Sequence, residues 1–123
     1  MLKIKRKIVT FLVVFSIFLM PTAAFASLFY DLSGVTSISS RPVGVRVISY
    51  SSTTDVVDEI LVGTDIWLYG DYLGWYAYKA YDSDFISGSK DLGYSGYYYA
   101  ESRHTAYDWT GDEYTESSAS YWR

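Results

Sequence analysis

Tyr97-Tyr98-Tyr99-Ala100-Glu101-Ser102-Arg103-His104-Thr105-Ala106-Tyr107-Asp108-Trp109 is the stretch whose reading decides the fold. Its side chains alternate with a period of two. Tyr98, Ala100, Ser102, His104 and Ala106 share one face, while Tyr97, Tyr99, Glu101, Arg103, Thr105 and Tyr107 share the other. Small and apolar groups on one side with charged and aromatic groups on the other describe a half-buried β-strand. Thr110-Gly111-Asp112 then reads as a hairpin turn that returns the chain as Glu113 to Trp122.

The same period appears upstream. Val43, Val45 and Val47 alternate with Gly44, Arg46 and Ile48 in a strand reaching about Ser51, and Ser51 to Asp55 reads as a turn cluster. The run Val56 to Tyr69 places Val56, Ile60, Val62, Ile66 and Leu68 on one face, with Gly63 expected to mark a bulge or bend. Gly70-Asp71 and Gly74 bracket a turn before the strand Trp75 to Tyr81. Asp82 to Asp91 is polar and turn-rich, with Phe85-Ile86 as a short strand. No segment after residue 26 carries an apolar stripe of helical period. Short strands rich in Val, Ile, Tyr and Trp predict an all-β protein, a small antiparallel immunoglobulin-like β-sandwich of about six to seven strands, with a small closed barrel as the competitor.

The N-terminus carries a different signal. Lys3, Lys5, Arg6 and Lys7 precede the uncharged run Ile8 to Met20, Pro21 breaks it, and Ala24-Phe25-Ala26 offers a peptidase site. This is the pattern of a secretory signal peptide at residues 1–26, cleaved near Ala26/Ser27. The apolar run is too short to span a bilayer, which needs roughly 20 residues. Residues 27–42 form a lead-in, either mobile or an edge strand, and 43–123 form the β domain. The expected destination is extracellular, with no membrane span after cleavage.

Composition narrows the chemistry. The leader holds four of the ten basic residues and none of the fourteen acidic ones, so the remainder carries a formal net charge near −8. That balance opposes nucleic-acid binding, which relies on clustered Lys and Arg. Cysteine is absent, which excludes disulfides and thiol catalysis. Neither Asn nor Gln occurs, so no N-glycosylation motif exists.

Several pieces, in this order, resemble an uncharacterised family of small secreted proteins of Gram-positive bacteria. They are Val57-Asp58-Glu59-Ile60, Gly74-Trp75, Gly88-Ser89-Lys90, Gly96-Tyr97-Tyr98-Tyr99, His104-Thr105 and Glu116-Ser117-Ser118. The resemblance covers roughly Val43 to Trp122 and implies a signal peptide followed by one compact β domain. It transfers no catalytic residue. The chain departs from the family pattern in its high tyrosine content and stronger acidity.

Each chemistry meets a bland alternative. His104 is the only histidine, and its place among alanine and serine reads as a hydrogen-bonded interior group rather than a catalytic base. Gly93-Tyr94-Ser95-Gly96 falls short of a nucleophile elbow. Glu59, Glu101, Glu113 and Glu116 lie on expected strands, but a domain of this size leaves little room for a glycosidase cleft. Asp82-Ser83-Asp84 and Asp108 to Glu113 place carboxylates at turns without calcium-loop spacing. The expectation is therefore no catalytic residue, no metal site and no cofactor.

Aromatic rings are the remaining asset. Trp67, Tyr69, Trp75, Tyr81, Tyr97, Tyr99, Tyr107 and Trp109 fall on faces read as outward. Among them Trp75, Tyr97, Tyr99, Tyr107 and Trp109 are the expected ligand-binding residues, with a cell-wall glycan or a protein as partner. A non-enzymatic secreted binding or structural domain is the leading reading. A carbohydrate or cell-wall module and a bacteriocin-like protein are the alternatives.

Overall fold

A computed structural model describes residues 30–123, all strand and connecting turn with no helix among them. The signal peptide, its cleavage site and the first residues of the lead-in lie outside the described residues. Five antiparallel strands form one curled sheet: β1 (Leu32–Ser40), β2 (Val45–Leu68), β3 (Asp71–Leu92), β4 (Tyr97–Asp108) and β5 (Gly111–Trp122).

The all-β class stands, but five strands replace the expected six to seven. Two long strands explain the difference. β2 and β3 form a hairpin of 24 and 22 residues, closed by a turn in which Tyr69 and Gly70 both take positive φ (51° and 83°). Successive positive φ values twist the turn to match its strands. The Ser51–Asp55 cluster is not a turn. There the β2–β3 ladder shifts, so that Ser52 faces Phe85 while Val57 faces Ser83. The extra residues close back on the chain start, the Thr54 amide donating to Asp31 O at 3.1 Å and the Asp31 amide to Thr54 Oγ1 at 2.9 Å. The polar stretch Asp82 to Asp91 stays in β3, and Asp82 takes φ 49° opposite the same irregularity. A bulge of this kind bends the strand that carries it, and here both strands of the hairpin turn together.

Because β2 bends, one of its edges takes two partners. β1 pairs with residues Val45 to Thr53 and β4 with Glu59 to Leu68. β5 completes the sheet beyond β4. The segment read as a lead-in is therefore strand from Leu32 to Ser40, and Tyr30 just before that strand is buried, its one hydroxyl proton shared between Gly111 O at 2.9 Å and Ala106 O at 3.2 Å. The bulge also reverses one expected face: Val57 is buried and Val56 exposed.

Two apolar clusters fill the interior. Val45, Val47, Ile66, Tyr76, Leu92, Tyr98 and Ala100 form one; Tyr30, Val57, Ile60 and Ala106 form the other. Between them lies a buried polar layer. Tyr76 OH, Ser49, Thr64, Ser102, Thr36, Ser117, His104 and Ser51 follow one another at 2.6–2.8 Å, ending where Ser51 Oγ donates to Leu61 O at 2.7 Å. The run takes at least one residue from every strand. Each buried hydroxyl of the run, and the imidazole, thereby has a hydrogen-bond partner.

Candidate functional site

His104 lies within this interior layer. Its side chain is fully buried, with Nδ1 2.7 Å from Ser51 Oγ and Nε2 2.7 Å from Ser117 Oγ. Ser51 Oγ donates to Leu61 O and Thr36 Oγ1 to Ser102 Oγ, and both ring nitrogens are held on hydroxyls. Burial holds the ring's pKa below its ordinary value. The β1 backbone presses against the ring, since a Cβ at Gly34 would stand 2.2 Å from it. The histidine is a structural link, as its alternating position implies.

The carboxylates are dispersed. Glu59 lies 3.7 Å from Lys79, Glu116 accepts from the Tyr114 hydroxyl, and Glu113 sits opposite Ala106 on the inner register. Among the described residues no three acidic or histidine side chains gather around a common point suited to a metal ion.

The outer face of β3, β2, β4 and β5 concentrates the exposed chemistry. The ladders align its residues in rows across the sheet. Tyr72, Trp67 and Tyr99 form the row next to the β2–β3 turn, and Trp75, Asp65 and Glu101 the next. Ala77, Gly63, Arg103 and Glu116 follow, then Lys79, Leu61, Thr105 and Tyr114, and finally Tyr81, Glu59, Tyr107 and Asp112. Trp67 touches both neighbours, with ring centroids 5.7 Å from Tyr72 and from Tyr99. Tyr97 packs on Trp122 at 4.9 Å, and Trp122 on Tyr69 at 5.8 Å. A band of rings thus crosses the sheet near one end.

The middle of the face is polar. Arg103 Nη1 donates to Asp65 Oδ2 at 2.7 Å and the Tyr72 hydroxyl donates to Asp65 Oδ1 at 2.8 Å. Partial burial alone would push the Asp65 carboxyl up, but the hydrogen bonds from Arg103 and Tyr72, with the guanidinium charge, leave it below the usual carboxylate range. Burial and the acceptor Glu116 push the Tyr114 phenol up to about 12. Between these groups and Lys79 lies a shallow groove of about 350 Å³, lined among others by Leu61, Gly63, Ala77, Lys79, Arg103 and Thr105.

The five expected ligand-binding residues separate on this surface. Tyr97 and Tyr99 belong to the aromatic band. Trp75 stands beside it, 63% exposed and, among the described residues, in no contact with another ring. Tyr107 lies in the row furthest from that band, and Trp109, 82% exposed, sits at the β4–β5 turn beyond it. Trp67, Tyr72 and Trp122 join the band although the sequence reading did not select them. Tyr72 escaped because a register shift between Ile66 and Trp67 brings it onto the outer face in addition to Trp75.

Gly63 is also not where a bulge forms. The ladder runs unbroken through it, facing Ala77 on one side and Arg103 on the other. Comparison with protein-family models, curated proteins and solved structures finds no match.

Proposed function

We propose that this protein is a secreted, non-enzymatic binding domain of the bacterial surface, which holds a carbohydrate on the outer face of its curled sheet. The observation that carries this reading is Trp75: a large ring, mostly exposed, beside an aromatic band and next to paired polar groups on the same face. Exposed rings offer apolar planes to sugar faces, and neighbouring donors and acceptors fix sugar hydroxyls. The N-terminal leader pattern and the resemblance to small secreted proteins support export. Thr36 on β1 reaches Ser102 and Ser117 on β4 and β5 across the interior, which supports reading the curl as two facing layers in the manner of a sandwich. With His104 sealed inside, the outer face works by contact rather than by proton transfer.

A second reading follows from the ring pairs. Trp67–Tyr99, Trp67–Tyr72 and Tyr97–Trp122 all join neighbouring strands, so these rings stabilise the sheet whether or not they meet a ligand. Trp75 separates the two roles because no ring depends on it. Affinity electrophoresis of the secreted chain through gels carrying polysaccharide tests this directly. The wild type is retarded, and Trp75→Ala loses the retardation while melting at the same temperature. Equal mobility of wild type with and without polysaccharide contradicts the carbohydrate reading.

A further inference from the structure

Gly63 is the least explained glycine of the sheet. Gly34 and Gly88 are required by their surroundings, because rings of His104 and Tyr78 lie within 2.4 Å of where a Cβ would stand. Gly44, Gly70 and Gly96 take positive φ. Gly63 has neither reason. It sits in regular ladder between β3 and β4, and a Cβ there would meet nothing nearer than Arg103 Nη2 at 3.7 Å and Ala77 Cβ at 3.9 Å. Glycine weakens a strand interior, and where crowding does not demand it, it leaves room for something else to approach the backbone.

What it leaves open is the floor of the groove. On β3, Trp75, Ala77, Lys79 and Tyr81 share the outer face, so the two exposed rings stand six residues apart, about 20 Å along the strand. Gly63 and Ala77 make the floor between them. Arg103 spends Nη1 on Asp65, and among the described residues Nη2 has no protein acceptor as it stands over Gly63. Lys79 lies 3.7 Å from Glu59 and over the Tyr81 ring.

We propose that the depression over Gly63 is the central subsite for an uncharged polysaccharide lying along β3 between Trp75 and Tyr81. The proposal rests on the carbohydrate reading above and names the class of sugar. Each base at the groove is matched by an acid, Lys79 by Glu59 and Arg103 by Asp65, so neither is left as an unmatched cation for an anionic sugar. The chain beyond its leader carries an excess of acidic groups, which repels a polyanion. A neutral sugar escapes that repulsion. Its apolar face rests on Gly63 and Ala77, and its hydroxyls accept from Arg103 Nη2 and Lys79 Nζ while donating to Asp65 and Glu59.

Isothermal titration of the secreted chain with a soluble neutral glucan and with a polyuronate, at low and at high salt, tests this. The wild type binds the glucan with an affinity that salt leaves unchanged, and binds the polyuronate at least tenfold more weakly. Gly63→Val puts a strand-favouring side chain in ordinary contact with Arg103 Nη2 and Ala77 Cβ, so it melts at or above the wild-type temperature yet binds the glucan about tenfold more weakly. Should the valine variant melt early, Gly63→Ala, with its methyl in ordinary contact, carries the same test with a loss of about threefold. Unchanged glucan binding in the folded glycine variant, or preference for the polyuronate, overturns the proposal. If Trp75→Ala alone abolishes glucan binding, the aromatic reading survives and the groove does not. If the wild type binds neither polymer, both readings fall.

Discussion

At the scale of single residues, a tight constraint is His104 against Gly34. The ring is buried, neutral and held at both nitrogens by serine hydroxyls. Its folded-state pKa is depressed, so below about pH 6.5 the unfolded chain takes up a proton that the folded chain refuses. The stability associated with His104 is therefore complete above that pH and falls as acid is added through the window below it. Ring resonances of His104 followed by NMR titration stay in the neutral form to well below pH 6.5, while urea midpoints decline over the same range. A ring that titrates at its ordinary value would deny the burial. Gly34→Ala drives a methyl into the imidazole and lowers stability by about 1–3 kcal/mol, the usual scale of overpacking, as read from urea denaturation. The role of His104 was legible in the sequence because it shares a face with Ala100, Ser102 and Ala106. Its partners were not, since Ser51 and Ser117 come from strands whose register only the bend in β2 sets.

At the scale of the elements, β2 and β3 show where sequence reading works and where it stops. Alternation located the apolar runs from Val43 onward but not β1, and the turn at Tyr69-Gly70 was visible from its glycine. Polar stretches were read as chain reversals because Ser, Thr, Asp and Gly favour turns. In the folded protein, Ser51–Asp55 is a bulge inside one long strand, and Asp82–Asp91 continues the other. Local composition cannot distinguish a bulge from a turn when both use the same residues. The inward serines and threonines caused the related difficulty: a strand whose buried face is hydroxyl-bearing does not alternate in hydropathy. Aromatic pairing belongs at this scale too. Trp67 sits between Tyr72 and Tyr99, and each such pair contributes about 0.5–1.5 kcal/mol. Trp67→Ala consequently lowers the melting temperature clearly, whereas Trp75→Ala leaves it in place. Thermal denaturation of the two variants side by side checks the contrast, and equal losses would contradict it.

For the whole molecule, one curled sheet assigns different work to its two faces. The inner face closes on apolar clusters separated by a layer of hydroxyls and one imidazole, with a link from every strand and no disulfide. The outer face is left with rings, ion pairs and a groove floored by glycine and alanine. The expected ligand set was partly legible: Trp75, Tyr97 and Tyr99 fall at or beside one end of that face, while Tyr107 and Trp109 lie away from them. Gly63 was read as a bulge and Arg103 as one charge of an outward face, because neither a glycine nor a salt-bridged arginine marks a groove until its neighbours across the ladder are known. The most direct test is backbone amide chemical-shift mapping of the labelled protein titrated with a soluble neutral glucan fragment. Perturbations confined to Leu61–Trp67, Trp75–Tyr81 and Tyr99–Thr105, with β1 unmoved, are the predicted result. Saturating glucan that shifts no amide on the outer face, or shifts centred on β1, would contradict it.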